Sequence, residues 1–308
     1  MTLLITSLVL LMVLGYLAQT TGLCLVRGVK ETIAGRPLFL LAILFSGSFS
    51  WLAMLVAKWY EVESSLIATS VHWSVIVGGV LFGCGAAFNQ GCGVSTISKL
   101  ARGQLVMIAT IGGWFIGWLL LTLFIRDATS TNSLLHIYWD DYWHHGMLIA
   151  FSFLMLVVCW RLNTEDKKMW LSMLTIGLMA SLVFLYQVKW APSSLLKDLS
   201  SAMLFYIPFP ENERYLLLAS LLVGMVLAAV KTKAFKVNKG HGLGYIKHLI
   251  AGVLMGVGAA LAGGGNDSQL LLALPALSPA GLSAVLSMLF GIYVVQRVSH
   301  LLKKAVND

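Results

Sequence analysis

Two cysteines stand where a thiol could do chemistry. Cys92 lies between Gly91 and Gly93, and Cys24 lies three residues before Arg27. A thiol is polarizable and a weak S–H donor, and as a thiolate it is a nucleophile or a metal ligand. Flanking glycines interrupt a helix and leave backbone N–H groups unpaired, so a thiol in such a break faces a natural anion site. A second glycine cluster, Gly263-Gly264-Gly265, runs into Asn266-Asp267-Ser268, which brings an amide, a carboxylate and a hydroxyl to one point. As structure that triplet is a helix cap; as chemistry Asp267 can carry a proton. Asn89 and Gln90, just before the first cluster, offer amide donors. No nucleotide-binding loop accompanies these residues, and the cysteine spacing is not that of a zinc or dithiol redox motif. No cofactor or metal is expected.

The elements that hold these residues follow from composition. The chain has 308 residues, of which 58% are hydrophobic and 11% charged, with a mean hydropathy of +0.86. A soluble domain carries about a quarter charged residues, so a soluble enzyme, a secreted disulfide scaffold and a nucleic-acid-binding module are excluded. The net charge of +8 reads as lysine and arginine gathered in cytoplasmic loops. Apolar stretches long enough to cross about 30 Å of hydrocarbon fall near 3–26, 38–57, 71–90, 104–125, 145–161, 170–188, 214–231, 248–274 and 280–297. The fold class is an all-α integral membrane protein of about nine transmembrane helices in a single transport domain, with halves near 1–125 and 145–308.

Arg27, Lys30 and Arg36 follow the first span, so the N-terminus is expected outside. The same count places Arg161, Lys167, Lys168, the lysines from 231 to 247, Arg297, Lys303 and Lys304 inside. Glu61, Glu63, Asp140, Asp141, Glu211 and Glu213 then fall outside, and the C-terminus is cytoplasmic. The stretch from Trp190 to Phe209, with Leu195, Leu196, Leu199 and Met203 at helical spacing, is expected to lie along the interface. Trp139, Tyr142 and Trp143 read as an aromatic belt, with a structural role for His144 and His145 beside it.

The chain repeats itself. Residues 77–95, VGGVLFGCGAAFNQGCGVS, align without gaps on 250–268, IAGVLMGVGAALAGGGNDS, with the glycines at 79, 83, 85 and 91 matched at 252, 256, 258 and 264. The two copies enter from opposite sides in the expected topology, which makes an inverted pair. The early glycines let helices approach closely. The later clusters lie near mid-depth, where a broken helix is tolerated only if protein or a wet cavity satisfies its backbone. Short helical pieces, 94–100 and 268–274, are predicted after each break, their positive ends meeting at an anion path lined by Asn89, Gln90, Gly91, Cys92, Gly93, Gly264, Gly265, Asn266 and Asp267. Cys84 and Cys159 read as packing thiols, and Lys99 and Arg102 as anchors of the turn that follows.

At these residues the sequence resembles the YeeE/YedE family of bacterial thiosulfate (sulphur-compound) transporters. TGLCLVRGVKE (21–31), GCGAAFNQGCGVS (83–95) and GVGAALAGGGNDS (256–268) carry the resemblance. It implies thiosulfate uptake across the bacterial inner membrane, with Cys24 and Cys92 matched to two of the family's functional cysteines and Arg27 as an exit charge. The third cysteine is expected at the second break, where this chain has Gly265. The implied partners are a small sulfur-containing anion, the lipid bilayer and a small cytoplasmic sulfur-carrier or sulfurtransferase protein. The alternatives are an intramembrane thiol redox or sulfur-transfer enzyme using Cys92, and a structural subunit without transport.

Overall fold

A computed structural model describes residues 2–62, 66–124, 136–137, 139–205 and 208–307, without the side chains of 141 and 303–307. Glu63 and the side chains of Asp141, Lys303 and Lys304 therefore lie outside the described residues. Fourteen helices follow along these residues: α1 Thr2–Thr21, α2 Leu25–Ile33, α3 Leu38–Leu44, α4 Ser50–Trp59, α5 Trp73–Phe88, α6 Gly93–Ala101 and α7 Met107–Phe124. The order continues with α8 Asp141–Arg161, α9 Thr164–Tyr186, α10 Pro192–Phe205, α11 Asn212–Lys231, α12 Gly242–Leu261, α13 Asn266–Ser268 and α14 Pro279–Asn307. Among the described residues, nine helical stretches are long and apolar enough to cross a membrane, in the places hydropathy gave them. The first three are composite, because α1 runs on into α2, α3 into α4 and α5 into α6 after a short break.

Small residues decide the packing. The backbones of α5 and α12 approach until a Cβ on Gly78 would stand 2.6 Å from the Gly258 carbonyl, and one on Gly85 2.8 Å from the Ala251 carbonyl. Rising numbers on one helix meet falling numbers on the other, so the two copies of the repeat lie antiparallel. Their outer neighbours obey the same exchange. Gly79 and Gly83 press on the Ala284 and Met288 carbonyls of α14, as Gly252 and Gly256 press on the Thr110 and Trp114 carbonyls of α7. Gly15 of α1 meets Leu221 of α11, and Gly177 of α9 meets Ser46 in the turn between α3 and α4. A Cβ at any of these positions would collide with backbone, which cannot swing aside as a flexible side chain can.

Each copy's trailing turn is held by a connection from the opposite half. Lys236 N donates to the Arg102 carbonyl (2.9 Å), Asn238 N to the Gly103 carbonyl (2.9 Å), and Leu105 N to the Asn238 carbonyl (3.0 Å). On the other copy, Thr69 N donates to Ser278 Oγ at 3.0 Å. Thr69 belongs to a two-residue strand, β1 (Ala68–Thr69), paired antiparallel with β2 (His136–Ile137).

The stretch after Trp190 is helical, as α10, and one face of it is buried against protein: Ser193, Leu195, Ser200 and Ala202 are each at most 4% exposed, whereas Met203 is 59% exposed. Its serines and alanine let it sit against α7 and α13. Spaced leucines alone cannot distinguish a face turned to lipid from one turned to protein. Trp139, Tyr142 and Trp143, the expected belt residues, are all exposed.

Candidate functional site

The two breaks meet. Helix α5 ends at Phe88 and α6 begins at Gly93 with Cys92 as its N-cap; α12 ends at Leu261 and α13 begins at Asn266 with Gly265 as its N-cap. The single turn of α13 continues as a π-helical turn over Gln269–Ala273. Equivalent residues of the two breaks, Gln90 and Gly263, both take a left-handed backbone, at φ 56° and 75°. Ser95 Oγ donates to the Cys92 carbonyl and Ser268 Oγ to the Gly265 carbonyl, both at 3.0 Å. Across the gap, Gly93 N, the first amide of α6, donates to Asn266 Oδ1 at 3.0 Å. The two tips therefore face one another at hydrogen-bond distance.

Two more helix starts converge here. Cys24 is the N-cap of α2, and its thiol lies beside the thiol of Cys92. Neither thiol makes a capping hydrogen bond to the helix it starts. Both side chains are buried, and all four cysteines carry free thiols. At the second tip, Ser193 N in the first turn of α10 donates to Asp267 Oδ2 at 2.9 Å. Asp267 Oδ1 is buried without a hydrogen-bond partner among the described residues. One tip thus carries a thiol pair and the other a carboxylate.

Asn89, expected as a path-lining donor, has a different task. Its Nδ2 donates to the Gly91 carbonyl (2.9 Å) and Thr96 Oγ1 (2.7 Å), while Oδ1 receives Thr110 Oγ1 (2.8 Å) and meets His248 Nδ1 (2.7 Å). Fully buried and saturated, it braces the break from behind. Gln90 is exposed, and its carbonyl receives Lys99 Nζ at 2.8 Å. Arg27, expected as an exit charge, is held by Glu31 (2.8 Å), the Thr21 carbonyl (2.9 Å) and the Phe39 ring face (4.1 Å). Cys84 Sγ lies 3.8 Å from the Gly291 carbonyl in a helix contact, and Cys159 is buried on α8. His144 is buried, with Nε2 at 2.8 Å from the Pro275 carbonyl.

Sequence reasoning missed Trp114. Its indole lies against both tips: a Cβ on Gly93 would stand 2.5 Å from its Cη2, and one on Gly265 2.9 Å from its Cζ2. Phe82 meets the ring edge-on at 5.6 Å, and Nε1 has no partner among the described residues. A tryptophan in an apolar helix gives no signal of such a place. Ser193 was missed too, because its stretch was assigned to the interface. The same neighbours account for Gly265: a Cβ there would lie 2.7 Å from Asp267 Oδ1 and 2.8 Å from Ser193 Cβ. A separate cavity of about 970 Å³ between α8, the turn at 274–279 and α14 is lined almost wholly by apolar side chains and includes none of the tip residues.

Residues 29–169 and again 157–294 match the family model described as Sulphur transport. One model matched twice in a single chain is what an internal duplication produces, and together the matches span most of the sequence. No curated protein matches the chain.

Proposed function

This chain belongs to the sulphur transport family, and we propose that the sulphur compound it carries is thiosulfate or a closely related small inorganic sulfur anion. The observation that supports this reading is the juxtaposition of two helix tips at 3.0 Å with a pair of buried thiols at one of them. Thiosulfate has hard oxygens and one soft terminal sulfur. Helix-start N–H groups suit the oxygens. The thiols of Cys24 and Cys92 suit the sulfur, as polarizable S–H donors that tolerate desolvation better than a hydroxyl. Gly91, Gly93, Gly264, Gly265 and Asn266 form the narrow part of this path, with Trp114 wedged across it. Asp267, a carboxylate at depth, takes a proton as the anion binds and releases it inward. The charge pattern of the loops supports import across a bacterial inner membrane, N-terminus outside and C-terminus cytoplasmic. The exposed lysines of 231–239 then offer an acidic sulfur-carrier or sulfurtransferase protein a surface from which to collect the cargo.

The test is growth of a cell unable to import sulfate on thiosulfate as sole sulfur source. The native chain should restore growth, and Cys92→Ala and Cys24→Ala should not, at equal protein level. Growth with both alanine variants would remove the thiols from the path.

One contact favours a second reading. Sulfur transfer by Cys92 needs a second thiol in reach, and Cys24 is that thiol. Turnover by solubilised protein would support the enzyme, whereas uptake that requires sealed vesicles would support transport.

A further inference from the structure

We propose that Lys99 is the charged ligand that holds the anion at the first tip. The proposal rests on the reading of the tips as a sulfur-anion path and names a residue that reading leaves out. Lys99 sits about two turns into α6, yet its side chain folds back toward the helix start. Nζ donates to the Gln90 carbonyl at 2.8 Å and lies 3.2 Å from the point a Cβ on Gly91 would occupy. Gly91, against which it lies, directly precedes Cys92, the N-cap of α6.

Everything around it is neutral or positive. The ion pairs among the described residues are Arg27–Glu31 and Arg214–Asp198, so no described carboxylate answers Lys99. The other cation on this turn is engaged: Arg102 Nη2 donates to Ser98 Oγ at 3.1 Å, and its Nε lies 2.7 Å from the Gln19 amide oxygen in the orientation that satisfies both groups. An ammonium has three donors, and one hydrogen bond is seen for Lys99. A half-buried cation beside a helix N-terminus attracts an anion.

The repeat sharpens the assignment. In the alignment that superposes the breaks, Lys99 corresponds to Leu272 and Asp267 to Val94. The backbone frame is symmetric while the charge is not, with a cation at one tip and a carboxylate at the other. The anion accordingly rests at the Lys99 tip, and the site prefers a dianion over a neutral or singly charged sulfur species.

Lys99 also pins Gln90, whose positive φ needs support, so the test must separate charge from bracing. Initial rates of labelled thiosulfate uptake into sealed vesicles are measured for the native chain, Lys99→Gln and Lys99→Arg. Glutamine keeps a donor for the Gln90 carbonyl and removes the charge; arginine keeps the charge. Loss of one charge-assisted hydrogen bond should raise the half-saturation concentration about tenfold or more in Lys99→Gln, while Lys99→Arg stays near the native value. Lys99→Met, with stem but no charge, replaces the glutamine variant if that protein is not recovered monodisperse. A native half-saturation value in the uncharged variants overturns the assignment and leaves the path intact. Equal loss in the glutamine and arginine variants, with both folded, also overturns it, since bracing would then be the whole role. Absence of saturable uptake by the native chain overturns the proposed function and this inference together.

Discussion

Replacing Gly93 with alanine tests whether Trp114 truly lies between the tips. The new methyl would stand 2.5 Å from Cη2 and 2.8 Å from Cζ3 of the indole, and 2.9 Å from Asn266 Oδ1. None of these can step aside cheaply. The indole is 3% exposed and edged by Phe82, and the Asn266 oxygen is bonded to the Gly93 amide itself. Overpacking of this kind costs about 1–3 kcal/mol, and each kcal/mol moves the melting temperature of a chain this large by roughly 2–4 °C. Trp114→Phe removes the benzo ring that Gly93→Ala would strike. It forfeits no hydrogen bond, because Nε1 has no partner among the described residues, and costs about 1–2 kcal/mol for lost packing. The double variant should therefore be more stable than the two single losses add up to, with a coupling of about 1–2 kcal/mol. Thermal unfolding of the four proteins in one detergent gives the cycle. Additive losses would refute the wedge, and with it the picture of two tips closed on a single indole.

Asn89→Ala should cost about 2–3 kcal/mol, because it strands the buried partners of four hydrogen bonds; an unchanged melting temperature would deny the bracing role. Asp267→Asn retains an oxygen for the Ser193 amide, so protein yield should hold while the pH dependence of uptake disappears; an unaltered pH profile would leave Asp267 a cap only. Gly265→Cys should lower stability rather than raise uptake, since its Cβ would meet Asp267, Ser193 and Trp114 within 2.9 Å; faster uptake at native stability would contradict that crowding. Arg214→Ala should destabilise the α10–α11 contact by about 3 kcal/mol, as its buried guanidinium pairs with Asp198 at 2.6 Å; a normal melting curve would show the pair to be dispensable.

Hydropathy was sufficient for the spans, because lipid demands a long apolar run of any helix that crosses it. The two breaks were legible for a related reason: a glycine cluster inside such a run interrupts the helix whatever surrounds it. The repeat at 77–95 and 250–268 was legible as text, and the antiparallel glycine contacts of α5 and α12 are its spatial form. Less was legible where one residue type serves two environments. Leucines at helical spacing after Trp190 suit lipid or protein equally, and only the contacts of Ser193 and Leu195 choose. An amide at a break can line a path or brace it, and Asn89 braces because Thr96, Thr110 and His248 surround it.

The sequence by itself therefore determined the class of molecule, the places where its helices stop and the thiols that stand at one of those stops. These follow from local composition, which acts on every turn of chain independently of its neighbours. Tertiary structure alone decided that Cys24 meets Cys92 from 68 residues away, that Trp114 fills the gap, and that Asp267 and Lys99 mark opposite tips. Such pairings depend on which helix faces which, and close backbone approach at a handful of glycines settles that choice.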